Sequence, residues 1–274
     1  MNAKRLNQST SVGSRPQSKK RGPLSLIIKL LIAVAVIGYL VSLLFNDVER
    51  DIATLCRIDS EFPRETALLL DTTDGFSSTQ ADSINRQLEI LLRDAVIDEK
   101  YTFFALGPAT NTYFPRFSLC NPGDGMDDPA LSIDERNTYQ NWDEELAQRV
   151  RAQVDGLIGQ ERRNSSPVME MIQYTSNQNR WSSADSEKRL IVISSMIHST
   201  PEFSHLTDST NFGALAGTEY LSRVLAFLDN VEVTLLYVQR QQGVAIQNRG
   251  HIESFWRPFV DASGGSIVDV KSVN

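Results

Sequence analysis

Two short segments, Ala67–Leu70 and Leu190–Ile193, are apolar at every position, and Tyr101–Leu106 and Val231–Val238 are nearly so. Continuous apolar runs of this length mark strands covered on both faces. Between them, Thr79–Val96 places Ile84, Leu88, Leu91, Leu92, Ala95 and Val96 on one helical stripe, with Thr79 and Asp82 as an expected capping box. Further helices are expected over Asp143–Ile158, from Pro167 to about Tyr174, over most of Phe212–Leu228, and over Ile252–Val260. Ser166 reads as the cap before Pro167 at the first helical position. A short strand at Arg116–Leu119 precedes the turn Asn121-Pro-Gly-Asp-Gly125, and a last strand is expected at Ser266–Val270. Strands alternating with helices predict an α/β, Rossmann-like fold: a mostly parallel sheet flanked by helices.

One apolar run is of a different kind. Leu24–Phe45 is interrupted only by Lys29, and roughly 20 apolar residues span a bilayer core, with a lysine near the end able to reach the headgroups. Residues 1–45 carry seven cations and no acid. Positive charge on the leading side predicts a cytoplasmic N-terminus and a main domain that is periplasmic or extracellular. A cleaved signal peptide is the rival reading, but the run is long for one and Leu43-Leu-Phe-Asn46 lacks a small-x-small cleavage site. The expected organisation is a disordered basic tail (1–22), a transmembrane signal anchor (23–45), a connector (46–63) and an α/β domain (64–274).

Beyond residue 45 the chain has 20 cations against 34 acids, a net of −14. That balance disfavours nucleic acid as a partner. Neither G-x-x-x-x-G-K-[ST] nor G-x-G-x-x-G occurs, so nucleotide binding has no support. The two cysteines, Cys56 and Cys120, form a possible disulfide in an oxidising compartment, and two buried thiols otherwise.

The candidate chemistry sits where the first apolar run stops, at Asp71-Thr-Thr73-Asp74. A carboxylate and hydroxyl at the carboxyl end of a parallel strand are placed where α/β sheets bind ligands. The loop after Leu190–Ile193 adds Ser195 and His198, and the Pro167 helix start adds Ser165 and Ser166. Asp71, Ser195 and His198 nominally supply a hydrolase set, but no G-x-S-x-G elbow marks a nucleophile. His198 and His205 lack the H-E-x-x-H spacing of a zinc helix. Phe255, Trp256 and Phe259 recur at helical spacing and read as core.

The order of segments over residues 64–274 resembles the von Willebrand factor A (integrin I-like) domain family. It also looks like bacterial single-span membrane proteins with an A-like domain, where Asp-Thr-Thr-Asp, Asn-Pro-Gly, Ser-Pro and Phe-Trp motifs recur, here at Asp71–Asp74, Asn121–Gly123, Ser166-Pro167 and Phe255-Trp256. The resemblance implies a metal-ion-dependent adhesion site that holds Mg²⁺. Asp71 matches its leading Asp, Thr73 its first Ser, and Ser165 or Ser166 its second-loop hydroxyl. Gly75 falls at the second Ser, and Ser195 at the third-loop Asp, so the site is degenerate. The metal set, if any, is Asp71, Thr73 and Ser166. The implied function is protein–protein recognition or scaffolding, without catalysis, in a bacterial inner-membrane complex related to conjugation, a mobile element or defence. The expected partner face is Asp71, Thr73, Asp74, Ser165, Ser166, Ser195 and His198. Two alternatives are Mg²⁺-dependent capture of an acidic partner residue and a membrane-anchored hydrolase using His198.

Overall fold

The computed structural model describes residues 23–44, 50–58, 61–107, 115–123, 144, 146–160, 165–179, 181, 185–243 and 245–274. The basic tail, much of the segment after Asn121 and the start of the Asp143 helix lie outside them. The chain divides into two units at Asp47/Val48.

The first unit contains one helix, α1 (Pro23–Leu44, 22 residues). Its described side chains, residues 27–39, include exposed Ile27, Leu30, Leu31, Val34 and Ile37. Among the described residues no helix is long and apolar enough to cross a membrane.

The second unit is built on six strands: β1 (Arg64–Asp71), β2 (Lys100–Leu106), β3 (Phe117–Cys120), β4 (Glu187–Ser194), β5 (Val231–Val238) and β6 (Ser266–Val273). They form one sheet in the order β3-β2-β1-β4-β5-β6. All pairs are parallel except β2–β3, so the sheet is mixed, with an antiparallel edge. The alternation of side chains across a strand divides the core in two. Ala67, Leu69, Leu190, Val192, Val233 and Leu235 face one layer, and Leu68, Leu70, Ile191, Ile193 and Leu236 face the other. The first layer is covered by α4 (Val168–Asn179), α5 (Glu219–Val224) and the C-terminal helices. The second is covered by α2 (Ser78–Arg93) and α3, the helical segment 146–155. Both faces are therefore covered, as continuous apolar strands require. Cys56 and Cys120 are joined in a disulfide, with Cα atoms 4.8 Å apart.

Three local expectations change. The capping box of α2 is Ser77 with Gln80, not Thr79 with Asp82: Gln80 N–H donates to Ser77 Oγ and Ser77 N–H to Gln80 Oε1, both at 3.1 Å. Phe212–Leu228 is not one helix. It is a 3₁₀ turn (Phe212–Ala214) followed by Gly217 at φ +79° and then the six residues of α5, capped by Thr218. Gly217 adopts the left-handed conformation that ends a helix, and Thr218 starts a new one. Ile252–Val260 is composite: α6 (Arg249–His251), a π-helical turn (Ile252–Trp256) and α7 (Arg257–Ala262). Pro258 has no N–H to offer the preceding turn. The wider turn absorbs that missing donor, with Arg257 N–H reaching back to Ile252 O.

Candidate functional site

The direction of chain progression reverses between β1 and β4, and a crevice at such a switch point is where open α/β sheets bind ligands. Leu70 pairs with Ile193, so one step further brings Asp71 level with Ser194. Asp71 Oδ1 accepts from Thr73 N–H at 2.8 Å and Thr73 Oγ1 at 2.6 Å. Asp71 Oδ2 accepts from Ser194 Oγ at 2.6 Å and lies 3.5 Å from Ser166 Oγ. Thr73 Oγ1 and Ser166 Oγ are 3.0 Å apart. One carboxylate thus collects hydroxyls from three loops.

Three of the anticipated residues, Asp71, Thr73 and Ser166, meet here, and Ser194 replaces Ser195. Side-chain alternation could have found this: Leu190, Val192 and Ser194 share the face of Leu69 and Asp71, whereas Ser195 points away. Ser195 Oγ lies 3.4 Å from the N–H of Ile197, and Ser195 O accepts from Gln247 Nε2 at 2.9 Å. The next residue, Met196, is buried at φ +58°, a conformation that non-glycine residues rarely adopt. It is held by Met196 N–H donating to Ser194 Oγ at 2.9 Å and Trp256 Nε1 donating to Met196 O at 2.9 Å.

Ser166 is not the helix cap it was expected to be, because its hydroxyl is turned to Thr73. The free N–H of Met169 in the first turn of α4 instead faces His198 Nδ1 at 3.4 Å. His198 Nε2 lies 3.1 Å from Tyr220 Oη and 3.4 Å from Thr200 Oγ1. None of these bonds reaches Asp71 or Ser195, and His198 has no exposed surface. Asp74 pairs with Arg240 at 3.7 Å, and Arg240 also donates to Gly75 O.

Asp71, Thr73, Asp74, Ser166, Ser195 and His198 are all buried, which leaves Ser165 as the partly exposed member of the expected partner face. A Cβ on Gly75 would stand 2.1 Å from Gln160 O, so no serine can replace this glycine without moving the backbone. That loop is fixed to the segment after α3 by Phe76 N–H donating to Leu157 O and Gly159 N–H to Phe76 O. The position at which the sequence resemblance placed a second hydroxyl is therefore closed by packing.

Magnesium asks for near-octahedral oxygen ligation. The set here brings one carboxylate, and each of its oxygens already holds a hydrogen bond at 2.6 Å. Among the described residues no group of three or more His, Cys, Asp or Glu side chains is placed to hold a metal. The arrangement fits a self-satisfied network better than a metal centre.

Beside it lies a feature that spacing did not reveal. All three histidines of the chain are buried in one cluster. His205 Nδ1 accepts from His198 N–H at 3.1 Å and lies 3.0 Å from His251 Nε2, while His251 Nδ1 lies 2.7 Å from Tyr237 Oη. Phe255 packs its ring 4.2 Å from that of His205. With Nδ1 accepting, His205 carries its proton on Nε2, which meets no hydrogen-bond partner of good geometry among the described residues. Desolvation lowers His198 to about 3, His205 to about 2 with added repulsion from His251 and His198, and His251 to about 4. These rings are neutral at ordinary pH. Burial pushes Glu170 up, against the opposing pull of its bond from Tyr220.

No protein-family model matches the sequence. No curated protein matches it either. Among solved structures it is similar to an aerotolerance-related membrane protein from Bacteroides fragilis NCTC 9343, at TM-score 0.37 and 9% identity over 77% of this chain and 92% of that one. It is also similar to the conserved hypothetical protein BatB from Bacteroides thetaiotaomicron, at TM-score 0.37 and 11% identity over 77% of this chain and 90% of that one.

Proposed function

We propose that this chain is a membrane-anchored, extracytoplasmic module for protein–protein recognition or scaffolding within a bacterial inner-membrane complex, and that it is not an enzyme. The observation that carries this reading is the closed Asp71–Thr73–Ser166–Ser194 network. The crevice where related architectures do chemistry is filled by the chain's own bonds, so the groups there organise loops. The apolar run Leu24–Phe45 with its cationic flank supports the anchor. Recognition falls to the rim of the same edge, around Ser165, Ser199 and Thr200, where side chains are partly exposed.

Photo-crosslinking from Ser165 in native membranes tests this. A discrete crosslinked protein, unaffected by chelators, is the expected result. Turnover of a hydrolysable ester or peptide that is abolished by His198→Ala with binding preserved would overturn it.

A second reading keeps Mg²⁺ as a bridge to an acidic partner residue. It is favoured by the convergence of Asp71, Thr73 and Ser166, the trio named from the sequence. Calorimetric titration of the full chain with Mg²⁺ and Mn²⁺, against Asp71→Asn, separates the two. Saturable heat lost in the variant supports the metal; a flat titration with both ions supports the closed network.

A further inference from the structure

The amino-terminal edge of the sheet, opposite the crevice, exposes large apolar side chains at both of its ends. Ile97 is 56% exposed just before β2, and Phe227 is 64% exposed just before β5. Trp181, in the connection from α4 to β4, is partly exposed and donates its indole N–H to Phe227 O at 3.4 Å. Ile52 (96%) and Ile58 (63%) flank the Arg50–Arg57 pairing, which is fixed to this same edge by the Cys56–Cys120 disulfide and by Arg50 to Asp98 at 2.7 Å. Cys120 is at this edge because β3 runs antiparallel, opposite Lys100 at the start of β2.

Single exposed apolar residues are ordinary. Here four collect, with the partly exposed Trp181, along the edge at which the chain enters the domain. Five residues separate Leu44 from Arg50 in the sequence, a covalent reach of at most roughly 20 Å. A tryptophan with its indole N–H engaged beside an exposed phenylalanine is also the side-chain chemistry of a membrane–water interface.

We propose that this edge rests on the lipid surface, with Phe227, Trp181, Ile97, Ile58 and Ile52 dipping into the headgroup region. This rests on the proposed anchor and adds to it an orientation: the crevice edge faces away from the bilayer. The same edge carries exposed Asp51, Glu61, Asp94, Asp185, Glu187, Asp229 and Glu232 beside exposed Arg93 and partly exposed Arg57, Arg64, Lys100 and Lys188. Its acidity does not draw it to anionic lipid, so the fitting surface is zwitterionic, and tethering supplies the high local concentration that weak apolar contacts need.

The test uses the full chain in zwitterionic phosphatidylcholine vesicles containing lipids brominated near the headgroup. Tryptophan fluorescence is compared among Phe227→Trp, Ile97→Trp and, as the opposite-edge control, Leu206→Trp, each with unchanged circular dichroism. The expected result is quenching of the added tryptophan at 227 and 97 at least twofold greater than at 206. Equal quenching at all three overturns the proposal, as does a tryptophan at 227 that is shielded from both bromine and aqueous iodide, which would mean that protein covers it. Resistance to alkaline extraction is read in parallel. A chain that extracts brings down the anchor and the orientation together, whereas a chain that resists but shows equal quenching loses only the orientation.

Discussion

The two ends of this sheet treat polarity in opposite ways. At the carboxyl edge, Asp71, Thr73, Ser166 and Ser194 are buried and bonded to one another. At the amino edge, Ile52, Ile58, Ile97 and Phe227 are exposed on the surface while Glu99, fully buried, takes bonds from Thr66 Oγ1 and Val96 N–H beside Arg64 and Arg189. A polar crevice that satisfies itself has no unmet demand for a ligand. An edge that leaves apolar groups outside has one. Function on this scaffold is therefore better sought around the crevice and at the far edge than inside the crevice.

The largest expected effect lies in the histidine cluster, next to the crevice. The folded pKa values are depressed below the ordinary 6.5, so the unfolded chain binds protons first. Stability from these rings is fully present above pH 6.5 and is lost as pH falls toward the folded values. The loss reaches about 2 kcal/mol per ring at pH 5, or about 6 kcal/mol for three. Glu170 works the other way, since its raised pKa adds stability as pH falls through the carboxylate range. Denaturant midpoints at pH 7.5 and pH 5 check the sum, and an unchanged midpoint would falsify neutral burial of the trio.

Asp71→Ala removes the acceptor of three hydroxyls and of the Thr73 N–H in a buried site and is expected to cost about 3–5 kcal/mol, with Asp71→Asn near half of that. If Asp71→Ala costs under about 1 kcal/mol, the crevice is wet and open, and the contrast between the two edges fails. Reducing the Cys56–Cys120 bridge should cost about 2–4 kcal/mol, read as a lower thermal midpoint in dithiothreitol. Gly75→Ser should cost about 1–3 kcal/mol by overpacking against Gln160 O and should fail to create Mg²⁺ binding. Phe227→Ser, at the other edge, should change stability by about 0.5 kcal/mol or less, because its side chain is largely exposed.

Much of the sheet was legible in the sequence because buried parallel strands announce themselves as unbroken apolar runs. The site was legible in part. Asp71 and Thr73 lie at the end of such a run, and Ser166 sits at a helix start that Pro167 marks. Segment order, on which the resemblance rests, points to Ser195, whereas alternation along β4 selects its neighbour Ser194. The histidine cluster had no local signature: His198 and His251 are 53 positions apart in the sequence and are bridged by His205 only through the fold. The helix expected over Phe212–Leu228 failed because periodicity ignored two glycines. The π turn at Ile252–Trp256 followed from a proline whose effect on the ladder apolar spacing does not report.

The position of β1 also has a consequence for how the chain is made. β1 pairs with β2 across about 35 residues but with β4 across 123, since Arg64 meets Glu187. During vectorial synthesis the β1–β2–β3 half emerges first, and its Cys56–Cys120 bridge can close before β4 exists. Until β4 arrives, the fully apolar edge of Ala67–Leu70 is an open template for any passing strand. The most aggregation-prone moment of folding therefore falls before β4 arrives, when the Cys56–Cys120 bridge can already hold the first half together.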